Sequence, residues 1–589
     1  MNYLQPIQEA ISNGIAALYQ LEIPADEIRF DPTPPEFEGE YTYVVFPLLK
    51  ASKKNPMQTA EELGQYLLEH QNSVARFNVV KGFLNISFKS DFWTSILYQL
   101  RTEQPWLSPA RSGKKIVLEY CGPNTNKPLH LGHIRNMLLG YSISKIQAAA
   151  GNDVHRVNIY NDRGIAICKS MVAYQRKGNN ATPTTTGTKG DHFVGHYYVT
   201  YSNLLDEEVR TLMAGGMSKE EAEKKAPVYL EAVRMLQQWE AGDPGTLELW
   251  QTMNGWVYEG FNQTFERLGV DFEKDYLESE HFSKGRDLVL KGLEKGYFFR
   301  KDDGSVWVDL TDKGLDEKVL LRSDGTSVYI TQDIGVAHQR YLDYHMDVSA
   351  YVVANEQDYH FKVLKLVLEK LGEPYADGIH HLSYGMVDLP EGKMKSREGT
   401  VVDADDLMDE MEASSRSFLE QSDKQLDFSE AEKTTLYRQV GLAALKYFIL
   451  RVDPKKRILF NPTESIDLQG NTGPFIQYTY ARIKSVLSKL SDEPGGKMAA
   501  PDKDELDLIV TLSRYYATIQ DASENWSPAE IANYIYTLAR QFNKFYADHS
   551  VLHADTPEQK QLRIHLAHTT GAVLGHGLDL LGIEAPERM

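Results

Sequence analysis

Residues 115–160 read "KIVLEYCGPNTNKPLHLGHIRNMLLGYSISKIQAAAGNDVHRVNIY". The opening KIVLEYC is apolar and β-branched and predicts a strand, and the closing HRVNIY predicts another. Between them Ile134, Met137, Leu138, Tyr141 and Ala148 share one face of a helix that Gly151 is placed to end. Strand, turn, helix and strand within about 45 residues make a βαβ unit, whose strands run parallel because the helix carries the chain back across the sheet. The predicted fold class is therefore α/β, with ligands at the carboxyl ends of its parallel strands.

At 589 residues the chain is too long for one core and predicts about three domains. An apolar share of 42% and a charged share of 25% exclude a disordered chain. No run of about 18 apolar residues occurs and the start, MNYLQPIQEAISNG, lacks the pattern of a signal peptide, so a cytoplasmic protein with no membrane contact is expected. Cys121 and Cys168 are the only cysteines, too few for a disulfide framework or a paired-thiolate zinc site. With 83 acidic against 63 basic residues the formal charge is -20, so any RNA must be held by local basic patches and shape.

The first hundred or so residues alternate helical patterns with the apolar runs YTYVVFPLL and FNVVKGFLNISF and close in EQPWLSPARSGKK, a small α/β domain and a linker. A polar loop, KGNNATPTTTGTKGD, and helical patterns to about residue 270 read as an insertion. Strands are expected again at SVWVDL, SVYITQ and SAYVVAN. From about residue 430 the patterns are helical, as in the stripe Leu562, Leu566, Val573 and Leu580, interrupted by SDEPGGKMAAPDKDE.

The turn PNTNKPLHLGH (123–133) holds two histidines. His130 and His133 lack a nearby cysteine or acidic partner in sequence for a metal, and structural histidines are a second reading. The third is phosphate chemistry: a strand feeding a helix N-terminus presents backbone N–H groups to an anion, Gly132 allows close approach, and imidazole N–H groups can meet the charge that builds on phosphate. His-x-Gly-His also occurs in small nucleotidyltransferases. With its flanks, VLEYCGPNTNKPLHLGHIRN resembles the ATP-binding signature of class I aminoacyl-tRNA synthetases, and specifically that of the arginyl-tRNA synthetase family.

A second stretch, GMVDLPEGKMKSREGTVV (385–402), resembles the lysine loop that closes on ATP in that class. Lys393 and Met394 match the start of its motif, while Lys395 stands one place early and precedes Ser396 and an arginine. Arginyl enzymes often place a lysine just before the histidine motif instead, a position Lys127 fills, so any of Lys127, Lys393 and Lys395 can serve the pyrophosphate. The resemblance further implies arginine-binding roles for Glu119, Tyr329 and Asp333 toward the guanidinium, with both acids expected at strand ends, and for Asn124 and Gln357 toward the amino acid's polar groups. Planar, bidentate pairing is what a guanidinium requires. The likeness runs through GDHFVGHYYV (190–199), LGVDFEKDYLES and the terminal LLGIEAPERM. It departs at YNDRGIAICKSM, where many relatives have Asp-Trp-Gly and this chain has Asp162, Arg163 and Gly164.

By the same resemblance, residues 1–110 form an additional tRNA-binding domain with Phe37 stacking on a base. Residues 111–425 form a Rossmann-like catalytic domain with a helical insertion at about 170–280. Residues 426–589 form a helical anticodon-binding domain in which Tyr478, Arg482 and Met589 meet tRNA. The implied activity is ATP-dependent formation of arginyl-adenylate and transfer to the terminal adenosine of arginine tRNA. Mg²⁺ accompanies ATP without a dedicated protein cage, and a monomer is expected. The rival readings are another class I synthetase and a catalytically idle tRNA-binding relative; a cysteinyl enzyme would use a zinc site these residues do not build.

Overall fold

The computed structural model describes residues 3–34, 36–388, 402–421, 428–490 and 496–589. Near the amino terminus, strands β1 (Asp31–Pro32), β2 (Tyr41–Val44), β3 (Val74–Val80) and β4 (Phe83–Phe88) form an antiparallel sheet in the order β1-β2-β4-β3. FNVVKGFLNISF is its hairpin. Lys81 and Gly82 both take positive φ, 50° and 90°, in the two-residue turn whose twist suits paired antiparallel strands. The helix Ser90–Glu103 then buries Trp93, Ile96, Leu97 and Leu100 and packs on the carboxyl-terminal helices Lys503–Ser513 and Pro557–Leu580.

The expected division near residue 110 falls between Leu107 and the next strand, β5 (Lys115–Glu119). Then come β6 (Asp153–Tyr160), β7 (Lys274–Leu277), β8 (Phe299–Arg300), β9 (Val306–Val308), β10 (Lys318–Leu321), β11 (Val348–Ala354) and β12 (Ile379–Tyr384). β8 to β10 form a small antiparallel sheet, whereas the other five pair in parallel in the order β12-β11-β5-β6-β7. The helix Leu131–Ala149 links β5 to β6, and Asp358–Leu371 links β11 to β12 on the other side. The sheet thus grows outward in both directions from the β5/β11 pair, and that reversal opens a crevice at the carboxyl ends of these strands. Asn136 closes its floor: its side chain accepts from the Cys121 N–H (2.6 Å) and donates to the Val352 carbonyl (2.6 Å) and the Tyr384 hydroxyl (3.2 Å).

The inserted helices Ile165–Lys177, Gly190–Ala214, Pro227–Glu240 and Pro244–Leu268 lie between β6 and β7. One expected strand is corrected: SVYITQ runs into a helix, Tyr329–Tyr344, where Ile330, Ile334 and Ala337 recur at helical spacing and are buried. Its packing decides the matter. A Cβ on Gly285 would lie 1.6 Å from the Thr331 carbonyl oxygen, so the Lys284–Glu294 helix presses backbone to backbone on this segment. Six helices of ten residues or more follow between Glu430 and Leu580, and Leu562, Leu566, Val573 and Leu580 are all buried among them. The expected division near residue 425 lies outside the described residues.

Candidate active site

Every candidate catalytic or pocket residue that is described follows or ends a strand of the parallel sheet, save those on the helix Tyr329–Tyr344. The first is the turn after β5. His130 caps the helix Leu131–Ala149 with its Nδ1 accepting the Gly132 N–H (3.1 Å), and His133 Nδ1 accepts the His130 N–H (3.1 Å). A ring nitrogen that accepts carries no proton, so both imidazoles hold theirs on Nε2 and point that donor away from the turn's own backbone. Burial, with the Lys127 charge nearby, lowers the pKa of His130 to about 4 and that of His133 well below its ordinary value. Both are neutral Nε2–H donors at neutral pH. Lys127 is half-buried, its pKa is lowered by burial, and no carboxylate of the described residues pairs with its ammonium.

Two expectations about this turn are corrected. The Leu131 N–H donates to the Val402 carbonyl (3.1 Å) and the Gly132 N–H to His130, so these amides are not free for an anion, whereas the imidazole Nε2–H groups are not used within the turn. Gly132 makes room for the His130 ring, since a Cβ there would lie 2.9 Å from His130 Cε1.

Lys393, Met394, Lys395 and Ser396 lie outside the described residues. The described flanks of their segment are both tied to the histidine turn. On one side the buried Arg135 donates to the carbonyls of Met386 (3.1 Å), Pro454 (2.9 Å) and Lys456 (2.7 Å). On the other, Leu131 and Leu129 bracket Val402 and Ala404 through the Leu131 N–H and the Ala404 N–H, which donates to Leu129 (3.0 Å). The described flanks of the second motif, far away in sequence, therefore adjoin the histidine turn that follows β5.

Beside them opens a cavity of about 700 Å³ lined by Asn124, Arg163, Glu278, Tyr329 and Gln332 among others, a size that suits a small ligand. Asn124 and Tyr329 were expected there, Tyr329 standing 79% exposed at the rim. Three other expectations change. Glu119 ends β5, yet its carboxylate is already paired with the guanidinium of Arg340, whose side chain is fully buried. Asp333 sits on a helix rather than at a strand end and binds His360 Nε2 at 2.5 Å. Gln357 is exposed in the short turn Asn355–Gln357 after β11 and does not line the cavity. Three acids do line it: Glu240, which pairs with Arg163, Asp324, which accepts from Thr326, and Glu278, immediately after β7, whose pKa burial pushes up to about 7; Asp162 and Asp333 add to the rise and Arg163 opposes it. An acid at the end of a parallel strand, in DYLESE, was the signal sequence reading passed over. Arg163, at the departure from Asp-Trp-Gly, lies 3.9 Å above the Phe282 ring and 3.3 Å from Glu240, so its charge is spent on the cavity wall.

A second cavity, of about 760 Å³, gathers Tyr478, Arg482 and Met589 with Lys489 and Arg588 on the helical domain, a local basic patch on an acidic chain. Arg482 stacks 4.8 Å over the Tyr478 ring and donates to Asn543 (2.5 Å), which leaves an aromatic face beside a fixed cation. Phe37 is 40% exposed ahead of β2. Among the described residues no helix is long and apolar enough to cross a membrane.

Comparison with known proteins agrees with this layout. Residues 94–461 match the model for the class I (R) tRNA synthetase catalytic domain, 476–589 the DALR anticodon binding domain and 5–88 the arginyl tRNA synthetase N terminal domain. The arginine–tRNA ligase of Parabacteroides distasonis is 51% identical over 594 aligned positions covering 99% of each chain, and that of Bacteroides thetaiotaomicron 50% identical over 98% of each. The arginyl-tRNA synthetase structure from Thermus thermophilus shares the fold with a TM-score of 0.77 at 24% identity, covering 99% of this chain and 100% of that one. With its catalytic match spanning most of the sequence and half its residues identical end to end, the chain belongs to the arginyl-tRNA synthetase family.

Proposed function

We propose that the protein ligates L-arginine to its tRNA in two steps. In the first, a carboxylate oxygen of arginine attacks the α-phosphorus of ATP, the bond to the β-phosphate oxygen breaks, and arginyl-adenylate and pyrophosphate form. In the second, a hydroxyl of the terminal adenosine of tRNA attacks the arginyl carbonyl, AMP leaves with the electron pair of the broken carbonyl–oxygen bond, and the hydroxyl proton passes to the departing phosphate or to water. The observation that carries this reading is the pair of neutral Nε2–H imidazoles beside the unpaired Lys127, next to an acid-lined cavity. Neutral donors and one fixed ammonium suit phosphate oxygens that gain charge in the transition state, and they need no proton transfer to act. Mg²⁺ bound to the triphosphate would supply further charge compensation there, with no described residue assigned to hold it.

Asn124 and Tyr329 orient arginine in the cavity, Glu278 meets its guanidinium, and Asp333 adds negative potential from behind. Glu119 contributes by holding Arg340, and Gln357 waits at the rim of the crevice. Lys393, Lys395, Met394 and Ser396 complete the ATP side. Residues 1–110, with Phe37, and 426–589, with Tyr478, Arg482 and Met589, hold the tRNA while 111–425 catalyse, in a cytoplasmic monomer. The test is pyrophosphate exchange with each of the twenty amino acids in the presence of tRNA: exchange with arginine alone is expected, and none with arginine would end the reading.

One consequence concerns pH. Burial pushes the Glu278 pKa up to about 7, and only its carboxylate attracts a guanidinium, so arginine binding below that pH is expected to release a proton. The affinity for arginine is expected to rise about tenfold per pH unit up to about 7 and to level above it. Calorimetry in buffers of different ionisation enthalpy should detect the released proton, and the Glu278→Gln variant should release none.

A further inference from the structure

The stretch GDHFVGHYYV opens the inserted helix Gly190–Ala214, and nothing described so far uses it. Its residues pack on the histidine turn. A Cβ on Gly195 would lie 2.7 Å from Pro128 Cδ and 3.6 Å from the Lys127 Cα, so the helix backbone rests on the segment that carries the catalytic lysine. A Cβ on Gly190 would lie 1.8 Å from the Trp256 carbonyl oxygen, which seats the start of this helix against Pro244–Leu268 with no slack.

Beside these glycines lies an ion cluster. Lys189 Nζ reaches Asp405 (2.6 Å), Asp191 (3.3 Å) and the Thr264 hydroxyl (2.5 Å), while His192 Nε2 lies 3.1 Å from Asp403 and 3.6 Å from Asp405. Ligand atoms of Asp191, His192 and Asp405 come within 4.8 Å of one another, a spacing that could hold a metal ion, but the Lys189 ammonium already bridges both carboxylates, so the cation here is the chain's own. The cluster grips the short segment that follows KMKSREGTVV in sequence. Asp403 also caps the helix Ala404–Glu420 by accepting from the Asp405 N–H (2.8 Å) and the Asp406 N–H (3.3 Å). The same segment is bridged to the turn itself, Asp403 opposite His130, with Leu131 and Ala404 donating across the pair.

We propose that Lys189 and His192 are positioning residues for adenylate formation: from the inserted helix they clamp Asp403 and Asp405, and through the Val402–Ala404 backbone they hold His130 and the lysine-loop flank in one register. Neither side chain touches the arginine cavity, so the clamp acts on the rate of the chemical step and leaves arginine binding alone. This rests on the synthetase reading above.

The experiment is arginine-dependent pyrophosphate exchange with the full chain, tRNA present. Lys189→Met is expected to lower kcat by about 10- to 100-fold, the scale on which small misplacements of a reacting group act, with KM for arginine within about threefold. Lys189→Arg, which keeps the charge, is expected to recover most of that loss, and His192→Gln to lower kcat by about 5- to 10-fold with the same split. A folded Lys189→Met with kcat within about threefold of the unaltered protein overturns the proposal, as does a Lys189→Arg no better than Lys189→Met. If Lys189→Met does not fold, His192→Gln decides: an unchanged kcat, or a KM for arginine that rises as far as kcat falls, overturns it. Absence of arginine exchange in the unaltered protein would instead sink the synthetase reading.

Discussion

Lys127→Ala and His133→Ala are each expected to slow arginyl-adenylate formation by about 10²- to 10³-fold, the usual loss for one strong, preorganised donor to a developing charge. The structure makes the case separately for each. Lys127 has no carboxylate partner among the described residues, so its ammonium loses nothing on meeting phosphate, and burial, which lowers its pKa, strengthens its attraction for an anion. His133 offers an Nε2–H while its Nδ1 holds the His130 N–H, so alanine removes a donor and loosens the neighbouring ring as well. Single-turnover measurement with saturating arginine is the check, and arginine affinity should stay within about threefold. Because both imidazoles titrate far below neutrality, that rate should also show no histidine limb between about pH 6 and 8. Rates within about threefold of the unaltered protein in both variants would remove these groups from the phosphate site.

The second large effect belongs to Glu278. Its replacement by glutamine keeps the shape and removes the charge that a guanidinium entering this cavity would need, so arginine binding is expected to weaken by about 2 to 4 kcal/mol. ATP binding should change little, because the histidine turn is untouched. Citrulline, which has no charge to lose, should discriminate far less between the two proteins. Asp333→Asn should cost less than Glu278→Gln, since the Asp333 carboxylate is already matched by His360 and stands outside the cavity lining. Calorimetric titration of arginine into both variants tests the order, and the reverse order would return the principal role to Asp333.

Much of this was legible in sequence because it depends on short-range pattern. The βαβ unit at 115–160 follows from two apolar, β-branched runs and a period-3.6 stripe between them, and β5, the helix Leu131–Ala149 and β6 occur where those patterns place them. The carboxyl-terminal helices follow likewise from stripes such as Leu562 to Leu580. SVYITQ shows where local pattern fails: six residues of apolar alternation carry too little information against a helix–helix contact through Gly285 that the chain makes some forty residues away.

What sequence alone determined, then, is most of the order of elements, SVYITQ excepted, and the parallel sheet. Tertiary structure alone decided how charge is shared. Whether an acid faces a ligand or an internal cation depends on which distant side chain reaches it: Arg340 takes Glu119, His360 takes Asp333, Lys189 takes Asp405, and Glu278 is left lining the cavity. The imidazole protons, by contrast, are set locally, by N–H groups two and three residues away in the cap of one helix. Coulombic pairing and hydrogen bonding act over a few ångströms in space, whereas the patterns visible in a sequence act over a few residues along the chain.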